Sequence, residues 1–370
     1  MNRTDEIRTL AIREKETIWN WFHGNHGARI PHSLNKLQKH ELNTLLLLSI
    51  EKPVELCRFL RTPFFRLEYI MNHPSYQFFT IEKKKGGNRE IYAPDPELKK
   101  IQKQLNYFLQ AYYLAVKPKE VYGFVINPHY LGEYCNIVEN ATHHVGKKHL
   151  LNIDLKDFFP GISANRVRAV FRSEIFGFND QISTALTLLT TFQGKLPIGA
   201  PTSPVISNFV CHQLDTELTG FCQIHNLTYT RYADDLTFSS NDPIIPLMIE
   251  GIVNQIRNNH FEINTRKTRL TANNRKQSVT GITVNEKVNV DRKLLKKIRA
   301  MSHDLSMNGI VSATRNHFDV KGEVDPKLQE RFMNRLCGYI NFIGQVRGKS
   351  DLLYLKVKSA FHPDQKENIR

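Results

Sequence analysis

Cysteine is sparse in this chain. Its five cysteines, Cys57, Cys135, Cys211, Cys222 and Cys337, are scattered, odd in number and without a Cys-x-x-Cys pair. That usage supports neither a zinc ribbon nor a disulfide framework, and it suits a reduced compartment. Long apolar runs are missing too. The longest aliphatic run, Leu45–Leu48, falls far short of the ~20 residues a spanning helix needs. Residues Met1–Asn20 mix Arg, Lys, Asp and Glu with apolar positions, unlike a secretory leader. A soluble, cytoplasmic protein with no membrane partner is expected. Negative charge is short as well: 36 Asp and Glu face 51 Lys and Arg, a formal net charge of +15. That balance favours a polyanionic partner and says nothing about fold.

The rest is ordinary globular material. The chain has 370 residues, 41% hydrophobic and 24% charged, which suits roughly two to three domain-sized units. Helical spacing runs from Thr4 toward Leu60 (Ile7, Leu10, Ile12, then Ile18, Trp19, Phe22), broken at His23-Gly24-Asn25-His26-Gly27. Further helices are predicted at Glu41–Ile50 and Pro53–Phe59. His23, His26 and His32 lack the Cys or paired carboxylate that completes a metal site, so they read as solvent-facing turn residues. Tyr76–Pro94 predicts a hairpin about Gly86-Gly87. Its tip carries Lys83, Lys84, Lys85 and Arg89, either a solvated turn or a phosphate clasp.

A helix at Glu97–Leu114, an apolar strand at His149–Leu155 and helical patterning over Ala164–Phe192 follow. The loop Leu196–Pro204 opens an apolar helix over Val205–Leu218, and Leu227–Ser239 reads as two strands about Ala233-Asp234-Asp235. A helix at Pro246–Asn258, strands around Phe261–Thr271 and a hairpin at Ser278–Val290 come next. From Glu286 to Arg370 the pattern is mainly helical and basic, with 17 Lys or Arg against 10 Asp or Glu.

Chemistry concentrates at three aspartates. Asp154 ends a strand reading Leu-Leu-Asn-Ile. An ionised carboxylate there cannot stay buried and unpaired, so it meets a cation or emerges at a surface. Asp234 and Asp235 stand side by side in a tight turn between Tyr232 and Leu236. Adjacent strand residues face opposite ways, so one of the two can join Asp154 while the other points elsewhere. Carboxylates converging from neighbouring strand ends repel each other unless a divalent ion neutralises them. Mg²⁺ suits such a site, taking one or two carboxylates and leaving positions for water and phosphate. Two ions about 3.5–4 Å apart can activate an attacking hydroxyl and stabilise a leaving oxygen. For any single Asp the plainer reading is a turn or cap residue, and Asp157 is assigned to it.

These residues resemble the boxes of reverse transcriptases. Tyr232-Ala233-Asp234-Asp235 matches their Tyr-x-Asp-Asp box, and Asn152-Ile153-Asp154-Leu155-Lys156-Asp157-Phe158-Phe159 their first catalytic strand. Pro197-Ile198-Gly199-Ala200-Pro201-Thr202-Ser203-Pro204 resembles their nucleotide-pocket loop. The finer resemblance is to bacterial retron reverse transcriptases. Asn140-Ala141-Thr142-His143-His144 is similar to a retron Asn-Ala-x-x-His signature, and Val279-Thr280-Gly281 to a Val-Thr-Gly signature. The likeness runs from about Phe78 to Val290 and is expected to extend to the end of the chain, and residues 1 to about 70 match no named pattern. One position departs: the loop commonly reads Pro-Gln-Gly, and Ile198 replaces the amide with a branched alkyl group.

The resemblance implies an α+β right-hand polymerase. Residues 1–75 form a helical N-terminal extension, 76–150 the fingers, 151–285 the palm with finger helices at about 164–196, and 286–370 a mainly helical, basic, RNA-binding thumb. Asp154 and Asp234 ligate two Mg²⁺ (Mn²⁺ as the alternative) with the Leu155 carbonyl, and Asp235 supports them near the primer end. Arg89 grips the triphosphate, with Lys83 and Lys85 assisting, and Gly199, Ala200 and Pro201 line the nucleotide. Phe159 either excludes a ribose 2′-OH or is a core aromatic. Lys267 either serves the departing pyrophosphate or contacts solvent and phosphate backbone. Asn140, Ala141, His144, Val279, Thr280 and Gly281 support the fold or contact RNA or primer. The implied activity is retron RNA-directed DNA synthesis on a cognate non-coding RNA, using dNTPs and priming from a guanosine 2′-OH. The RNA-linked single-stranded product (msDNA) serves anti-phage defence beside a separately encoded effector. The rivals are a group II intron-type reverse transcriptase and a catalytically idle polymerase-fold scaffold that binds RNA or senses phage.

Overall fold

The computed structural model describes residues 3–24, 34–35, 37–83, 86–126, 135–359 and 361. His26, His32, Lys84 and Lys85 lie outside the described residues. Two units interleave along the chain: Met1–Cys135, Ile153–Leu236 and Ile245–Thr268 form the first, and Asn136–Asn152, Thr237–Ile244 and Arg269–Arg370 the second.

The first unit opens with helices α1 (Arg3–Arg13), α2 (Lys15–Gly24), α3 (Lys39–Leu48), α4 (Pro53–Phe59) and α5 (Phe64–Asn72). Residues Leu42 to Leu48 of α3 are all buried, which is why its leucine run shows no apolar stripe in sequence. Strands β1 (Tyr76–Glu82) and β2 (Asn88–Pro94) pair antiparallel from Tyr76↔Pro94 to Glu82↔Asn88. Helix α6 (Pro96–Val116) starts where Asp95 accepts the Leu98 N–H at 2.8 Å, with Pro96 in the first turn. Its buried Leu98, Ile101, Leu105 and Leu109 recur every three or four residues and pack on α3.

Helix α7 (Ile137–Thr142) and strand β3 (His149–Asp154) follow. The helical pattern over Ala164–Phe192 resolves into two helices, α8 (Ala164–Arg172) and α9 (Asp180–Thr190). Ser163 and Asn179 cap their starts, and Gly177, at φ 65°, turns the chain between them. Helices α10 (Ser203–Val210) and α11 (His212–Ile224) lead into β4 (Thr228–Tyr232), β5 (Asp235–Ser240) and α12 (Pro246–Asn258). Of the strands expected around Phe261–Thr271 the regular one is β6 (Arg269–Ala272), because Asn264 to Thr268 coil into a turn. The sheet order is β4-β5-β3-β6, and β3 and β5 each contribute residues to both units.

In the second unit β7 (Ser278–Val279) and β8 (Ile282–Thr283) form a short hairpin before α13 (Arg292–Phe318), α14 (Pro326–Arg347) and α15 (Leu352–Ser359). Val279, Ile282 and Val284 share one core with Ile298, Leu336 and Ile340. Helix α13 is interrupted at Gly309 (φ 72°, ψ 171°). Asn316 consequently donates to Asp304 at 3.1 Å, although twelve residues of straight helix would part them by ~18 Å. Among the described residues no helix is long and apolar enough to cross a membrane.

Candidate active site

The site lies in the first unit and is assembled by backbone hydrogen bonds. Just past β3 the Leu155 N–H donates to the Asp234 carbonyl at 2.9 Å, fixing the end of one strand against the turn after β4. On its other side Asn264 N–H donates to the Asp154 carbonyl and Lys156 N–H to Glu262, both at 2.8 Å. The turn from Asn264, closed by Lys267 N–H and Thr268 N–H on its carbonyl, swings Lys267 back. Its Nζ then sits 2.7 and 2.9 Å from the two Asp154 carboxylate oxygens.

One ammonium thus serves a group of three carboxylates, touching Asp154 and acting on the other two through its charge. Asp154 is 8% exposed. Burial chiefly, aided by the Asp154 charge, raises Asp234 from its ordinary value, while a backbone hydrogen bond, Lys267 and Arg89 oppose the rise. Asp235 opens to solvent on one side, yet desolvation, then repulsion from Asp234 and Asp154, pushes it up to about 6. Lys267 is raised, mostly by its hydrogen bond to Asp154. Crowded, partly dehydrated carboxylates of this kind suit a hard divalent cation. Among the described residues no three His, Cys, Asp or Glu side chains form a ready metal cage.

Phe158 and Phe159 differ in burial and in neighbours. Phe158 is buried and stacks on Phe261 at 5.9 Å, whereas Phe159 is half-buried beside Phe124 at 5.6 Å. Arg89 is exposed on β2. The loop before α10 docks on the same strand, since Tyr92 N–H donates to the Ile198 carbonyl at 2.7 Å. Any residue at 198 supplies that carbonyl, so the alkyl side chain leaves the docking intact. Gly199 sits at φ 113°, where an added Cβ would lie 2.9 Å from both Ile91 Cγ2 and the Tyr92 carbonyl. Ala200 is buried, Pro201 half-buried, and the Ser203 hydroxyl ties the loop by donating to Pro197 at 2.6 Å.

The two short signatures lie in the second unit and pack on each other. Thr280 (φ 47°) and Gly281 (φ 86°) make the two-residue turn of the β7–β8 hairpin, a geometry that suits the hand of strand twist. The Thr280 hydroxyl donates to the Ile137 carbonyl at 3.3 Å. Ala141 and Val279 share the core, and Asn140 is buried. His144 is fully buried with Nδ1 2.7 Å from the Ser239 hydroxyl, and burial lowers it to about 3. His144 therefore sits in the core of the unit, away from its surface. Asp157 is exposed at φ 45° and its carbonyl accepts from Gly161, a turn residue.

One group of buried polar residues had no counterpart among the sequence motifs. Arg231, Asp215, Tyr229 and Asn208 form a buried network behind the Asp234 turn. The available signal was a lone arginine in the strand Thr-Tyr-Thr-Arg-Tyr and one of the two acids of α11, Asp215 beside Leu214, and either also suits a solvated face.

Residues 81–284 match the family described as reverse transcriptase (RNA-dependent DNA polymerase). The retron Ec86 reverse transcriptase of Escherichia coli is 34% identical over 284 residues, covering 75% of this chain and 84% of that one. The retron Mx65 enzyme of Myxococcus xanthus is 33% identical over 263 residues, 66% of this chain and 59% of that one. The retron Mx162 enzyme of the same organism is 32% identical over 266 residues, 62% of this chain and 52% of that one. The chain belongs to the reverse transcriptase family, as an α+β right-hand RNA-directed DNA polymerase, and within it to the retron enzymes. Divalent metal ions serve that family generally.

Proposed function

We propose that this chain is the polymerase of a retron. It copies part of a cognate structured non-coding RNA into msDNA, priming from a guanosine 2′-OH, and works in anti-phage defence beside a separate effector. The observation that carries the catalytic part is the Leu155–Asp234 backbone bond, which sets the end of β3, where Lys267 meets Asp154, against the turn bearing Asp234. Kinship with retron enzymes supports the rest.

Asp154, Asp234 and the Leu155 carbonyl would hold Mg²⁺, two ions in all, or Mn²⁺ in its place, with Asp235 supporting near the primer end. Such ions neutralise the triphosphate and activate an attacking hydroxyl. The chain's own groups do the remainder. The planar Arg89 guanidinium binds the triphosphate. Lys267, released from Asp154, carries a proton to the departing pyrophosphate. The half-buried Phe159 ring excludes a ribose 2′-OH, and Gly199 lets the loop backbone approach β2 closely beside Ala200 and Pro201. The hairpin carrying Val279, Thr280 and Gly281, braced by Asn140, Ala141 and His144, shapes a primer-holding surface. The basic helices from 286 onward act as a thumb that tracks phosphates, so RNA binding weakens steeply with salt.

The test is expression with the upstream genomic region in a bacterium, followed by isolation of small nucleic acid. A branched species sensitive to both RNase and DNase is expected, absent from the Asp234→Asn/Asp235→Asn variant. No such species, with purified protein still extending a primer on generic RNA, would remove the retron and keep the polymerase. Inactivity in both assays would favour an idle scaffold.

A further inference from the structure

The network behind the aspartate turn has a geometry that fold stability alone does not require. Arg231 and Asp215 are both 0% exposed. The guanidinium meets the carboxylate in a fork, Nε to Oδ1 at 2.7 Å and NH2 to Oδ2 at 2.6 Å, and the Tyr229 hydroxyl donates to Oδ1 at 2.8 Å. Buried ion pairs of this kind seldom stabilise a fold more than a well-packed apolar pair does. The remaining guanidinium nitrogen points at the turn. NH1 donates to the Ala233 carbonyl at 3.1 Å and to Asn208 Oδ1 at 3.0 Å. The Asn208 amide in turn donates to the Gly123 carbonyl at 3.0 Å.

Ala233 is the residue before Asp234 and holds φ 59°, a left-handed conformation that costs a non-glycine residue about 1–2 kcal/mol. Gly123 packs closely on it, since an added Cβ would stand 2.3 Å from the Ala233 nitrogen. The strand beneath is pinned as well: Arg231 N–H donates to Glu120 and Tyr122 N–H to the Arg231 carbonyl, both at 2.9 Å. Asn208 belongs to α10, the helix that begins where the nucleotide-pocket loop ends. One buried cation is thereby bonded to the turn bearing Asp234 and to the helix that follows the loop bearing Gly199.

We infer that Asp215, Arg231 and Asn208 are positioning residues: they hold Ala233 in its left-handed turn and so fix the Asp234 carboxylate for metal. This rests on the reading of Asp234 as a metal-binding catalytic group. The ion pair contributes direction more than stability, since only a charged, planar, five-donor side chain reaches Asp215, Asn208 and Ala233 together.

The experiment compares full-length wild type with Arg231→Met/Asp215→Leu, which removes the ion pair without stranding a charge, with Gly123→Ala, which keeps the pair and pushes on Ala233, and with Asp234→Asn. Thermal unfolding, Mn²⁺ binding by electron paramagnetic resonance, and single-turnover primer extension on RNA are measured for each. The expected result is a folded double variant whose Mn²⁺ affinity falls about tenfold and whose extension rate falls roughly a hundredfold, as for ~1 Å misplacement of a catalytic group. Gly123→Ala should reproduce both changes. Wild-type Mn²⁺ affinity and extension in a folded double variant would overturn the inference. If the double variant does not fold, wild-type values in folded Gly123→Ala overturn it instead. Retained synthesis in Asp234→Asn would strike the catalytic reading itself, a result separable from either.

Discussion

The ammonium of Lys267 lies 2.7 and 2.9 Å from the two carboxylate oxygens of Asp154, spanning 113 residues of chain. A lysine in that place has two effects of opposite sign. It neutralises a carboxylate that would otherwise repel Asp234 and Asp235, and it competes with any cation for the same oxygens. Lys267→Met should therefore lower the half-saturating Mg²⁺ concentration while slowing extension at saturating Mg²⁺ by about a hundredfold, the scale of a lost proton donor. Lys267→Arg should recover part of the rate. Mg²⁺ titrations of single-turnover extension check both directions, and a variant slower only through weaker metal binding would contradict the assignment.

Gly199 makes a second test. Its φ of 113°, with Ile91 and Tyr92 only 2.9 Å from where a Cβ would stand, leaves no room for a side chain. Gly199→Ala should impose about 1–3 kcal/mol of local strain and shift the loop away from β2. The expected readout is a KM for dNTP raised about tenfold, with 1.4 kcal/mol per decade of affinity, while RNA binding stays unchanged. Equal losses in dNTP and RNA affinity would point to general unfolding instead.

His144 sets a pH dependence of stability. Burial holds it at about 3, below its ordinary 6.5, so the unfolded chain binds a proton that the folded chain refuses. Stability from this residue is complete above pH 6.5 and is lost as pH falls toward 3, with a slope of at most about 1.4 kcal/mol per pH unit. His144→Gln, which keeps a partner for Ser239, should flatten the stability curve between pH 6.5 and 4. Urea unfolding at several pH values measures it, and an unchanged slope would refute the account.

Much of this arrangement was legible in the residues. Asp154 at the end of an apolar strand and Asp234-Asp235 in a tight turn were readable because a buried charge must find a partner. The hairpin about Gly86-Gly87 followed from turn chemistry, and the helix expected at Glu97–Leu114 lies inside α6, whose Asp95 cap the structure adds. Other features lacked any local signal. Arg231 and Asp215 satisfy each other across fifteen intervening residues, and neither neighbourhood announces the other. Gly309 breaks a helix whose apolar spacing continues on both sides. The Asn264–Thr268 turn replaces a strand because its bonds close on Asn264, a choice made by the neighbouring Asp154 backbone as much as by its own sequence.

The most direct test of the central claim is primer extension by purified protein on an RNA template, with dNTPs and Mg²⁺, for wild type, Asp154→Asn and Asp234→Asn. Wild type should synthesise DNA. Each variant should bind the template normally yet lose on the order of 10³-fold in rate, as the removal of several kcal/mol of charge stabilisation requires. Undiminished synthesis by either variant would contradict the assignment of these two carboxylates.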